Sequence, residues 1–259
     1  MRNRTVFRLA TAAGLVGLCA CSDNTSPSLI DQTTMTTDVA SSSGDAIATD
    51  VDAISANEAY ASLAAPVQPA PANVTGDSII WTRSRTCYDS TGTSTPCGTS
   101  LVRMAVVHWS FAAFRDDTAG NGAVFSGDET RTADDTLFRN YTSGTETSRT
   151  HDGNAVGSDT TSFAGPNVTR TYDESATDSV DAVTFDLPRV TNPWPVSGKI
   201  IRNVSVHATF ANATRSSSTT VTKRVEVDFP PDNQGNVVLT INGKTCNLNL
   251  VTHRVTNCQ

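Results

Sequence analysis

The chain has 259 residues, a formal net charge of −7 and a pI near 5.0, a length that suits one or two ordinary domains. Thr (39) and Ser (26) supply a quarter of it, while hydrophobic residues reach only 37% and charged ones 17%. A helical bundle or a dense α/β enzyme would carry more Leu, Ala, Glu and Lys, and a nucleic-acid binder would carry a basic stripe, so both classes are disfavoured. Thr with scattered Val, Ile and Phe suits pleated, half-buried strands instead.

Arg2, Arg4 and Arg8 precede an apolar stretch from Leu9 to Ala20. At about 12 residues it is too short to span a bilayer, which needs about 20. It closes on Leu18-Cys19-Ala20-Cys21, which resembles the lipobox of bacterial lipoprotein signal peptides. The resemblance covers residues 1–21 only. It implies cleavage before Cys21, a diacylglycerol on the Cys21 thiol and a stable membrane anchor, because two acyl chains hold where one binds only marginally. Ser22 rather than Asp after the lipid-bearing residue implies the outer membrane. Loss of residues 1–20 removes three arginines and leaves 16 basic against 26 acidic residues, a mature charge of −10.

From Ser22 to about Gly76 there is no Lys or Arg, but seven acids: Asp23, Asp31, Asp38, Asp45, Asp50, Asp52 and Glu58. With Ser, Thr and Asn at its ends and Pro66, Pro69 and Pro71 closing it, residues 21–76 read as a flexible acidic tether. Within it, Ile47, Val51 and Ile54 fall at i, i+4 and i+7, which predicts a short amphipathic helix near residues 44–63. Packing back on its own domain, or fraying in solvent, is preferred to a partner-binding role.

Residues 77–259 follow period two. Ile79, Trp81 and Arg83 alternate with Ile80, Thr82 and Ser84; Leu101 to Phe111 reads as apolar on both faces, the mark of a central strand. Ile200, Val204, Val206, Ala208 and Phe210 share one face of a later strand, and Val221, Val225, Val227 and Phe229 one face of the next. Val237, Leu239 and Ile241 run into Asn242-Gly243, a strong hairpin signal because a type I′ turn needs positive φ twice. The expected fold is all-β: a mostly antiparallel meander of about eight to ten strands, closing as a sandwich or as an open half-barrel. Residues 142–180 look polar on both faces and predict a ribbon of hairpins wrapping or leaving the main sheet, with Asp152-Gly153 as a turn.

Four cysteines lie in this domain, and local pairing predicts Cys87–Cys97 and Cys246–Cys258 as disulfides. An exported compartment permits them. Their spacing does not suit a zinc site, which uses close Cys pairs.

The search for chemistry returns little. His108, His151, His207 and His253 sit at no paired ligand spacing, with His207 and His253 reading as outward-facing strand residues. No Gly-x-Ser-x-Gly elbow or His-Glu-x-x-His helix occurs. No catalytic residue, resident metal or cofactor is therefore expected, and the chain is not read as an enzyme. Asp116 to Gly122, with Asp128, Glu129, Asp134 and Asp135 nearby, offers oxygen ligands for Ca²⁺ but without EF-hand order, and a solvated acidic loop explains it equally well. Pro193-Trp194-Pro195 is a rigid turn whose indole either stacks on a glycan or plugs the end of the sheet. The expected partners are a membrane, reached through the lipid anchor, and an envelope protein or glycan, with no nucleic acid. Two function classes remain. One is a non-catalytic structural or interaction β-domain at the cell envelope; the other is a half-barrel carrier of a hydrophobic ligand. A filled concave face favours the first and an open apolar trough the second.

Overall fold

A computed structural model describes residues 29–62, 78–118, 124–164 and 167–259, with the side chains of 60–62, 78–81, 115–118 and 124–126 also left undescribed. Cys21 and the Pro-rich run at 66–71 thus lie outside the described residues, as do the side chains of Ile79, Ile80 and Trp81. The architecture is one open antiparallel meander curled around one helix. The helix is α1 (Gln32–Ser62). The strands are β1 (Ser78–Tyr88), β2 (Ser94–Thr95), β3 (Met104–Thr118), β4 (Val124–Thr142), β5 (Thr145–Ala164) and β6 (Thr169–Asp186), then β7 (Ser197–Ala211), β8 (Ser216–Asp228), β9 (Asn236–Ile241), β10 (Lys244–Asn249) and β11 (Arg254–Thr256). Each pairs with its sequence neighbour except at the β2 edge, giving the order β11-β10-β9-β8-β7-β6-β5-β4-β3-β1-β2. The expected antiparallel all-β meander is present, as an open sheet and not a closed barrel.

The helix is the largest departure from the expected layout. It has 31 residues rather than the short 44–63 piece, and it forms the centre of the core rather than part of a tether. Asp31 caps it, its carboxylate accepting from the Thr33 amide at 2.9 Å and the Thr34 hydroxyl at 2.7 Å, which holds Asp31 below the usual carboxylate range. Thr36 and Thr37 donate back to the carbonyls four residues earlier, so a stretch that reads as polar hides its hydroxyls inside the helix. Met35, Val39, Ala40, Ala46, Ile47, Ala48, Val51, Ala53 and Ile54 are all buried. A helix buried nearly all round shows no clean apolar stripe, and small Ser, Thr and Ala residues let the sheet close on it. Gly44 is the tightest point: a Cβ there would lie 2.4 Å from Cγ2 of Val255 on β11.

Two apolar flanks grip α1. On one side Phe210, Val225, Val227, Leu239, Ile241, Leu248 and Leu250 join Met35, Val39, Ile47 and Val51. On the other, Val107, Trp109, Phe111 and Ala113 of β3 meet Ala53. Strand β3 is not the central, two-sided strand expected: it lies third from the β2 edge, and only one face is buried, with Ala105, Val107, Trp109 and Phe111 pointing inward while His108 is exposed.

The polar 142–180 stretch is not a projecting ribbon. It supplies β5 and much of β6, which lie in the middle of the sheet between β4 and β7. Asp152-Gly153 is no turn; it lies within β5, where the register against β6 shifts between His151 and Gly153. The hairpins instead turn at Ser143-Gly144 (φ 52° and 84°) and, as expected, at Asn242-Gly243 (φ 48° and 83°). Disulfides join Cys87 to Cys97 at the β1–β2 edge and Cys246 of β10 to Cys258 beyond β11, so both outer strands are clipped.

Candidate functional site

The meander places charged side chains on the inward face of its middle strands, directly opposite α1. Arg131 on β4, Asp159 on β5, Glu174 and Asp178 on β6 and Arg202 on β7 are all buried, as is Asp50 on the helix. Glu174 and Asp178 alternate with buried Tyr172 and Ala176, so they occupy core positions of the strand. Small neighbours make the room: Gly157 lies opposite Arg131 in the ladder, and a Cβ on it would sit 3.4 Å from the Arg131 Cγ.

Arg131 donates to Asp50 at 2.8 Å and also to Asp178. Arg202 donates to Asp159 at 2.9 Å and to Asp178 at 3.2 Å. Two guanidinium groups thus face Asp50, Asp159, Glu174 and Asp178 away from water, with Glu129 3.6 Å from Arg131 at the margin, and such an excess of buried acid favours proton uptake. Burial pushes Asp50 up to about 7, with Arg131 pulling against it and Asp178 adding to it. Burial likewise raises Asp159 and, helped by the adjacent Asp159 charge, raises Glu174 to about 8. Asp159 Oδ1 and Glu174 Oε2 are both buried without a hydrogen-bond partner, so the two carboxyls favour holding a proton. Ser42 of α1 donates to Glu174 at 2.9 Å and ties the cluster to the helix a second time.

A second cluster sits at the C-terminal end of α1. His151 of β5 is fully buried, its Nδ1 3.0 Å from Asp135 and its Nε2 3.2 Å from Glu58 of the helix. Both ring nitrogens face carboxylates, so both carry protons. Burial works against that charge, but Asp135 and Glu58 outweigh it and raise His151 to about 9. Arg149 donates to Glu58 at 3.3 Å and to Glu146 at 2.7 Å, Asn57 donates to Asp135 at 3.1 Å, and Arg189 lies over the Phe185 ring at 3.6 Å. Further pairs hold the rest of the helix: Arg170 and Tyr172 donate to Asp38 at 2.7 and 2.6 Å, and His253 bridges Asp45 (3.0 Å) and Asp52 (3.3 Å). Those two acids raise His253 to about 9 against the effect of burial. The acids of residues 32–62 are therefore the helix's half of an ionic clasp.

The arrangement holds a helix, and its charged groups are buried. A crevice between α1 and the β3–β5 face, lined by Asp50, Ile54, Trp109, Ala133, Asp135 and Ala155 among others, has room for about one water molecule. Among the described residues no group of His, Cys, Asp and Glu has the geometry of a metal site, and no helix is long and apolar enough to cross a membrane.

The histidines are dispersed. His108 is exposed beside Asp134, His207 is exposed and bonds Thr220 at 3.1 Å, and His253, expected to face outward on a strand, turns onto the helix. Asp134 and Asp135 point to opposite faces of β4, so they do not gather around one ion; the side chains of Asp116 to Gly122 lie outside the described residues. Trp194 packs partly buried against the core, with its ring close to Gly235, as a plug at the end of the sheet. That same end exposes Val190 (89%), Val196 and Val251.

Sequence reasoning missed the buried ionic clasp. Its signal is present as charges of opposite sign at inward parity, with Arg131 and Asp135 on β4, Asp159 on β5, Glu174 and Asp178 on β6 and Arg202 on β7. Compared with protein-family models, curated proteins and solved structures, the chain matches none.

Proposed function

We propose that this chain is a lipid-anchored, non-catalytic module of the bacterial cell envelope, held at the outer membrane through Cys21, whose β-domain has a structural or interaction role. The observation that carries this reading is the occupation of the sheet's concave face by α1. A carrier of a hydrophobic ligand needs an apolar trough; here the flanks bury their apolar side chains against the helix, and the interior between them is charged. The two disulfides support an oxidising, exported location. The anchor rests on the lipobox-like residues 18–21.

Two measurements test the reading. Cys21→Ser should yield an unprocessed precursor of higher mass that no longer partitions into detergent; an unchanged mature mass would remove the anchor. Native mass spectrometry of the chain exported from an ordinary secretory signal, without Cys21, should find no stoichiometric lipid. A co-purifying lipid would favour the carrier instead.

A further inference from the structure

The connections of an antiparallel meander fall alternately at its two ends. At one end lie β3–β4, β5–β6, β7–β8 and β9–β10; at the other lie β4–β5, β6–β7, β8–β9 and β10–β11. Helix α1 runs from the first end to the second, since Asp38 meets Arg170 and Tyr172 at the start of β6, while Glu58 meets Arg149 and His151 at the start of β5 and lies 3.6 Å from Arg189 just beyond β6. Leu29 and Ile30 pack against the core, so the place where the chain enters the domain is fixed at the first end.

Only residues 22–28 separate Cys21 from Leu29. Fully extended, that connector spans no more than about 30 Å. The 20 residues of β5 run roughly 65 Å at strand rise, more than twice that reach. The outward face of the sheet carries Asp128, Asp134, Asp152, Asp173 and Asp181, all exposed, which an anionic headgroup layer repels if the domain lies flat on that face.

We infer that the acylated protein stands on the bilayer by its α1-entry end, with the β7–β8 turn (residues 212–215) next to the headgroups. The opposite end, carrying Val190, Trp194, Val196 and Val251, is thereby held away from the membrane. This orientation rests on the lipid-anchor reading above. It replaces a long flexible tether with a short leash, because the helix takes up most of the segment between Cys21 and β1.

The test uses the full acylated chain in proteoliposomes containing a bilayer-resident quencher, with one dye placed on A213C or on V190C, both exposed positions. Intact-mass measurement first establishes acylation. Quenching several-fold stronger at position 213 than at 190 is the expected result. Equal or reversed quenching on an acylated chain would overturn the orientation and leave the anchor standing. A chain without acyl mass overturns both.

Discussion

Arg202 is the sharpest probe of the buried clasp. It is 1% exposed and its guanidinium faces Asp159, Asp178 and Glu174. Arg202→Met keeps much of the stem's volume and deletes the charge, leaving Asp159 and Glu174 without the guanidinium that faces them. Breaking a buried pair by removing one partner costs about 3–5 kcal/mol, because the remaining charge stays desolvated and unpaired. The loss should depend on pH. Asp159 and Glu174 already have raised affinity for protons, and without Arg202 it rises further. Neutralising them at pH 5 should recover about 1 kcal/mol or more, because each tenfold gain in proton affinity is worth about 1.4 kcal/mol. Urea unfolding of the wild type and variant at pH 5 and pH 8 gives both numbers. Arg224→Met is the control: its pair with Glu226 is half exposed and should cost about 0–1 kcal/mol at either pH. A loss below about 1 kcal/mol for Arg202→Met at pH 8, or one independent of pH, would refute the clasp.

Stability of the wild type should fall as pH rises from about 4 to about 9. His151, Asp50 and Glu174 all bind protons more tightly in the folded state than in the unfolded one, so folding is favoured below their unfolded values and that benefit is lost as pH climbs through the folded ones. His151 alone, moved from 6.5 to about 9, is worth about 3 kcal/mol; a melting temperature that is flat or rising over this window would contradict its placement. Gly44→Ala should destabilise by about 1–3 kcal/mol through overpacking against Val255, although Ala in an unpacked helix gains about 1 kcal/mol over Gly; a stabilised variant in thermal melts would mean that β11 does not close on the helix. A chain starting at residue 77 lacks the central helix, and circular dichroism and sedimentation should find it unfolded or aggregated; a monomer with the full chain's stability would show α1 to be dispensable. Non-reducing peptide maps should link Cys87 to Cys97 and Cys246 to Cys258, each clip contributing about 2.5–3 kcal/mol.

The β-meander is legible in the sequence because alternation is a local property. Ile200, Val204, Val206, Ala208 and Phe210 share a buried face as their spacing predicts, and Asn242-Gly243 turns where its positive φ angles require. Local pairing of the cysteines is legible for the same reason. The middle strands are not legible in this way, because their inward positions hold Glu174, Asp178, Asp159 and Arg131, and a charged residue in a Thr-rich strand reads as solvent-facing on both sides. Only the register that sets Asp178 beside Arg202 and Gly157 opposite Arg131 turns those charges into a core.

The helix marks the same boundary most clearly. Composition alone determined that residues 22–76 carry acids and no bases, and periodicity determined that Ile47, Val51 and Ile54 lie on one side of a helix. The helix extends back to Gln32 because an open sheet of 11 strands has a concave face that must be covered, and small side chains are what fits inside it. Burial, not amphipathicity, stabilises that stretch, and burial depends on residues more than a hundred positions away, such as Arg170 and Tyr172 on Asp38. Pattern fixes what a segment is able to form; the partner across the core decides whether an acidic, Ser- and Thr-rich segment stays in water or becomes the axis of the fold.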